Sequence, residues 1–172
     1  MQPMYAFSVP VFQKMLKTAL NLLDKAEAHV KTNGGTEADL LEARLAPDMF
    51  PFVKQVQIVC DNAKGASSRL AGVENPSHPD TETTIAELKA RVEKTMAFLD
   101  TLKEEQFADA ADRKIVLPYY PDKHLLGMDY LQSQALQNFF FHVNMMYAIL
   151  RMKGVQIGKA DYIVDVPWQA GA

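Results

Sequence analysis

Apolar residues recur every three to four positions through four separate stretches of this chain, and that period admits one regular structure, the amphipathic helix. In the first stretch, from about Ser8 to Lys31, the stripe is Phe12, Met15, Leu16, Ala19, Leu23, Ala26 and Val30. Ser8 is the expected N-cap, Pro10 fits the first turn, and Asn33-Gly34-Gly35 stops the helix. The second stretch starts near Asp48, carries Pro51 in its first turn and ends before Gly72, with Phe52, Val56, Val59, Ala63, Ala66 and Leu70 inward. Thr84-Ile85-Ala86-Glu87 reads as a capping box that opens the third. Its stripe of Leu88, Val92, Thr95, Met96, Leu99 and Leu102 frays near Glu105. The fourth runs from about Met128 to Lys153, with cationic side chains in its last turns and Gly154 just past them.

The connections are equally legible. Thr36 caps a short turn from Glu37 to Arg44, and Gly72 to Thr83 is a loop rich in Pro, Asn and Ser. Lys114-Ile115-Val116-Leu117, turn residues Pro118 to Asp122, and His124-Leu125-Leu126 break the helical period and read as a small β-hairpin or flap. The tail from Val155 to Ala172 is expected to lay Tyr162, Val166 and Trp168 against the helices. Four helices, each about 33–39 Å long at about 1.5 Å per residue, make an all-α four-helix bundle, with residues 1–172 as one domain. The Gly72–Thr83 loop reaches about 40 Å when extended, enough to cross the bundle and let the second and third helices run parallel.

Composition narrows the function. With 48% hydrophobic and 23% charged residues, the chain has the means to bury a core. A net charge of −3 with scattered lysines provides no basic stripe for nucleic acid. No run of about 18 uncharged apolar residues spans a membrane, and the start lacks the basic and apolar regions of a secretory signal. Cys60 is the lone cysteine, so no internal disulfide forms, and a reducing cytoplasm is the expected compartment. Phosphate loops, His-Glu-x-x-His, Cys-x-x-Cys and Gly-x-Ser-x-Gly are absent from the sequence.

One polar spot remains. In the fourth helix Leu131, Ala135, Asn138, His142, Met145, Met146 and Ile149 share a face. An apolar face is buried, so the His142 imidazole and the Asn138 amide need partners inside the protein. Gln55 borders the inward face of the second helix. Three roles are open to His142: a core histidine bonded to a helix-two amide or a tyrosine, a ligand to a divalent metal such as zinc or nickel, or an acid–base group. A metal site takes at least about three protein ligands, and Asn138 and Met146 are unusual ones for a divalent first-row ion. Phe139, three residues before His142, rules out the Glu-x-x-His element of di-iron bundles. His29, His78 and His124 read as exposed, Cys60 as an inert core thiol, and Met128, Met145, Met146 and Met152 as core filling. Phe139-Phe140-Phe141 set rings on three sides of one helix, so one ring faces a second copy or the tail. Tyr119-Tyr120 line a pocket mouth or stiffen the turn.

Two signatures resemble a known family. Asn138-Phe139-Phe140-Phe141-His142-Val143, followed by Tyr147-Ala148-Ile149-Leu150-Arg151, Gly154-Val155 and Gly158-Lys159-x-Asp161-Tyr162, is one. Pro47-Asp48-Met49-Phe50-Pro51-Phe52, leading into Gln55-Val56-Gln57, is the other. The chain resembles, over nearly its whole length, a domain-of-unknown-function family within the DinB/YfiT-like superfamily. That resemblance implies an up-down-down-up bundle and a homodimer. It also implies relatives that bind a divalent metal through one histidine on helix two and a His-x-x-x-His pair on the last long helix, some of them thiol-dependent transferases or isomerases. Here His142 matches the first histidine of the pair, Met146 stands at the second, and Gln55 lies near the helix-two position. The expectation is a DinB-like bundle with a degenerate metal site and a small polar pocket of His142, Asn138, Gln55 and Met146, serving a small molecule or a protein partner. The alternatives are a metal-dependent transferase or isomerase using a low-molecular-weight thiol, with His142 as metal ligand, and a non-catalytic structural homodimer.

Overall fold

Ser8 precedes the first long helix, α2 (Val9–Asn33), but does not cap it. Its hydroxyl donates instead to the Met4 carbonyl (2.5 Å) of α1 (Pro3–Ala6), tying the two helices into a bend. These coordinates, a computed structural model, describe residues 2–170. Gly34 and Gly35 end α2 with φ of 74° and 102°, a region costly for residues carrying a Cβ. The Thr36–Asp39 capping box then starts the short α3 (Glu37–Leu41).

The second long helix, α4 (Phe52–Ala71), begins four residues later than its periodicity suggests. Prolines at 47 and 51 hold the residues before them extended, so the chain stays irregular until Pro51, which serves as N-cap residue. Gly72, in the left-handed conformation, closes the other end, where the Val73 N–H reaches the Ser68 carbonyl (3.0 Å). The third, α5 (Ile85–Asp100), opens on the expected box: the Glu87 N–H donates to Thr84 Oγ1 (3.2 Å) and the Thr84 N–H to Glu87 Oε2 (3.0 Å). It stops at Asp100 rather than near Glu105, and a 3₁₀ turn over Glu104–Phe107 buries Phe107 instead.

Two strands follow, β1 (Lys114–Leu117) and β2 (Tyr120–Leu126), antiparallel with Ile115 opposite Leu125 and Leu117 opposite Tyr120. Pro118 and Tyr119 alone make the turn. The last long helix comes in three pieces: α6 (Gly127–Tyr130), a π turn (Leu131–Ala135) and α7 (Leu136–Met152). The short α8 (Lys159–Tyr162) lies against α2, where Thr18 Oγ1 donates to the Tyr162 carbonyl (2.9 Å). The tail beyond it departs from expectation, since Trp168 is 86% exposed.

Side-chain pairings fix the directions. Gln13 bonds Asp100 (2.8 Å) while Lys89 meets Asp24 (2.6 Å), so α2 and α5 are antiparallel. Gln55 meets His142 and Arg69 meets Tyr130, so α4 and α7 are antiparallel too. Lys54, at the start of α4, bonds Asp80 in the loop that left its far end (2.5 Å), so that loop crosses the bundle. Arg91 binds Asp61, so α4 and α5 run side by side in one direction. The order is up-down-down-up. Phe12 and Phe139 meet edge to face at 4.8 Å in a core that also holds Leu16, Leu23, Val56, Val59 and Leu88.

Candidate functional site

His142 lies on the buried side of α7, 7% exposed, and faces the first turn of α4. There Gln55, 1% exposed, presents its side-chain oxygen 2.7 Å from His142 Nδ1. The amide cannot turn around without loss, because its Nε2 donates to the Phe50 carbonyl (3.0 Å). The Gln55 oxygen is therefore the acceptor, Nδ1 carries the hydrogen, and Nε2 keeps its lone pair. Burial pushes the His142 pKa below the ordinary imidazole value, so the ring is neutral at pH 7. Phe141 stacks edge-on against it at 5.2 Å.

Met146, one turn on, is fully buried in the core. Asn138, one turn back, is half-buried, and Phe139 takes the core position beside it. The π turn adds a residue to one helical turn and shifts the register of everything after it. An uninterrupted 3.6 period therefore places Asn138 in the stripe and Phe139 outside it. Asn138 instead lines a cavity of about 280 Å³ on the flank of the α4–α7 seam, which His142, Gln55 and Met146 do not line. The cavity is polar, with Asp61, Asn62, Lys64 and Arg69 from α4 facing Tyr130, Gln134 and Asn138. Tyr119 at the hairpin turn and Asn75 of the crossing loop complete it. A larger space of about 380 Å³ lies under the hairpin between Ile115, Leu117, Tyr120, Leu125 and Gln134.

Sequence periodicity gave no sign of the ion cluster that joins α4, α5 and the crossing loop. Arg91, its side chain 2% exposed, reaches Asp61 (2.8 Å), Asp80 (2.9 Å) and Glu82 (2.9 Å). Lys64 also meets Asp61 (3.2 Å). His78 sits beside this cluster and is 9% exposed, not exposed as its Pro-bounded loop suggested. The arginine draws the loop down onto the bundle and takes the imidazole with it. Burial, with Lys64, Lys94 and Arg91 close by, pushes the His78 pKa down. Pairs of acids in the loop, at 80 and 82, opposite a cation on a helix, are the signal that marks such an anchor.

The metal expected of the superfamily does not fit these residues. Gln55 spends its oxygen on the Nδ1–H of His142, Met146 offers a thioether suited to soft ions, and only the Nε2 lone pair of His142 is an ordinary ligand, where a site takes at least about three. Among the described residues, no three His, Cys, Asp or Glu side chains converge as a ligand set. Burial also pushes the Cys60 thiol up to about 12, so it is no nucleophile at neutral pH.

Residues 4–163 match the model of a family described as a domain of unknown function, DUF1993. A crystal structure of a DinB family member protein from Shewanella denitrificans is 40% identical, with a TM-score of 0.93, over 97% of this chain and 95% of that one. No curated protein matches this chain.

Proposed function

The chain belongs to the DUF1993 family and shares the DinB fold, and on that footing we propose that it is a metal-independent bundle that binds a small polar molecule. The single observation that carries the reading is the 2.7 Å bond from His142 Nδ1 to Gln55 Oε1. Where the superfamily resemblance implies a histidine on helix two, Gln55 stands as the hydrogen-bond partner of His142 and brings no second ligand nitrogen. Helices α4 and α7 are thereby clamped without metal. The binding space is the polar cavity that opens one turn away, at Ile58 on α4 and Asn138 on α7. At about 280 Å³ it falls just below the roughly 300–1,000 Å³ range of ligand pockets, which suits a small ligand.

Metal analysis of protein purified without an affinity tag tests the reading. The expected content is far below one zinc or nickel per chain, and unchanged by His142→Ala. One equivalent that disappears with His142→Ala would instead support a metal-dependent, thiol-using transferase.

A second reading rests on Phe141, Met145, Ala148 and Met152. These residues follow one another at three- and four-residue spacings, with Phe141 and Met152 each 49% exposed. This apolar stripe suits a homodimer face. Light scattering tests it: a dimer that Phe141→Lys converts to monomer supports the face, and a monomeric wild-type chain removes it.

A further inference from the structure

The α4–α7 cavity holds a cation with nothing to neutralise it. Arg69 is half-buried there, and its polar contact is a long one, Nη1 to the Tyr130 hydroxyl at 3.4 Å. Among the described residues it pairs with no carboxylate. Asp61 lines the same cavity, but Arg91 and Lys64 hold it. Lys64, 5% exposed, adds a second cation to the wall. A half-buried guanidinium in a confined space, lacking a counter-charge, calls for an anion.

Two further atoms there lack partners. Asn62 Nδ2 is a buried donor and Gln134 Oε1 a buried acceptor, each without a hydrogen bond, and both residues line the cavity. Native interiors leave few such groups unmet. Two local features set the helices apart at this place. Gly65 stands in the middle of α4, at a cost of about 1 kcal/mol relative to alanine. A Cβ there would sit 2.8 Å from Arg69 Nη1 and 3.6 Å from Asn75 Nδ2, so the glycine lets the guanidinium fold back along its own helix. Opposite, Gln134 belongs to the π turn, a wide turn frequent at functional sites. Orphaned charge, orphaned amides, a missing Cβ and a widened turn meet in one cavity.

Resting on the small-molecule reading above, we propose that this cavity binds the carboxylate of a small hydroxy or amino acid. Arg69 pairs with the carboxylate, Asn62 Nδ2 donates to the same group, and Gln134 Oε1 accepts from the ligand's O–H or N–H. The pairing is polar and non-covalent, and no proton leaves the protein.

Titration of the full chain with lactate, serine, lactamide and inorganic phosphate, followed by ¹⁵N NMR of side-chain amides, tests the assignment. Saturable shifts at Asn62 and Gln134 are expected with lactate or serine. Arg69→Met weakens that binding at least tenfold, and Arg69→Lys weakens it less. Asn62→Asp, which keeps the shape but sets a negative charge against the ligand, weakens it similarly without touching Arg69. Lactamide, the uncharged twin of lactate, does not compete. If lactamide binds the same groups as tightly as lactate, the charge assignment falls while the small-molecule reading stands. Tighter binding of phosphate than of either acid overturns the carboxylate in favour of an inorganic anion. Shifts confined to other surfaces, or none with any probe, remove both the inference and the pocket reading.

Discussion

Replacing Gln55 by leucine and His142 by phenylalanine, singly and together, probes the clamp that stands where a metal is expected. The two side chains are 1% and 7% exposed, so water cannot replace either partner cheaply. Gln55→Leu leaves the Nδ1–H of His142 buried without an acceptor. His142→Phe fills the same space but strands the Gln55 oxygen. A buried polar group deprived of its partner costs about 1–3 kcal/mol, so each single change is expected to destabilise the bundle by about 2 kcal/mol. Replacing both by apolar groups removes both unmet atoms and costs under about 1 kcal/mol. The singles sum to about 4 kcal/mol and the pair costs about 1, giving a coupling of about 3 kcal/mol. Urea unfolding with a common m-value measures all four corners of the cycle. Strict additivity, with coupling below about 0.5 kcal/mol, would refute the clamp.

Other parts of the structure make equally specific demands. His142 and His78 both have pKa values pushed down in the fold, so the unfolded chain binds more protons below about pH 6.5. Stability is therefore full above that value and falls as the pH drops from 7 to 5. His78→Asn should flatten the fall, and a pH-independent unfolding midpoint over that range contradicts the burial of both rings. Arg91→Met should cost about 2–3 kcal/mol, less than a fully buried pair because Asp61 and Asp80 are 39% and 36% exposed. It should also expose the Gly72–Thr83 loop to protease, and unchanged cleavage there defeats the anchoring role. Gly127→Ala sets a Cβ 1.8 Å from the Ala110 carbonyl oxygen, so about 1–3 kcal/mol of overpacking is expected in thermal melts. An unchanged melting temperature would show that this junction yields freely.

The helices were legible because burial on one face imposes a period, and Phe12, Val56, Leu88 and Ile149 obey it. The Thr84–Glu87 box was legible because capping is local chemistry. His142 and Gln55 were legible as a pair for the same reason as the core: each is polar and sits at or beside an apolar stripe. Asn138 was misread by one residue, since the π turn at Leu131–Ala135 has no sequence signature and moves Phe139 into the core in its place. Arg91 and His78 were invisible to periodicity, because what buries them is a loop brought back across α4. Arg69 was missed likewise. A lone arginine late in a helix reads as solvated until the facing helix shows that its surroundings hold amides and hydroxyls but no free carboxylate.

The response of one ring to zinc reports most directly on whether a hydrogen bond has taken the place of a metal here. In ¹⁵N spectra of imidazole-labelled protein at neutral pH, His142 should be neutral, with its proton on Nδ1, and stoichiometric zinc should leave both nitrogens unmoved. A ring protonated on Nε2 instead would contradict the bond to Gln55, and a nitrogen that shifts with a single equivalent of zinc would return the site to metal chemistry.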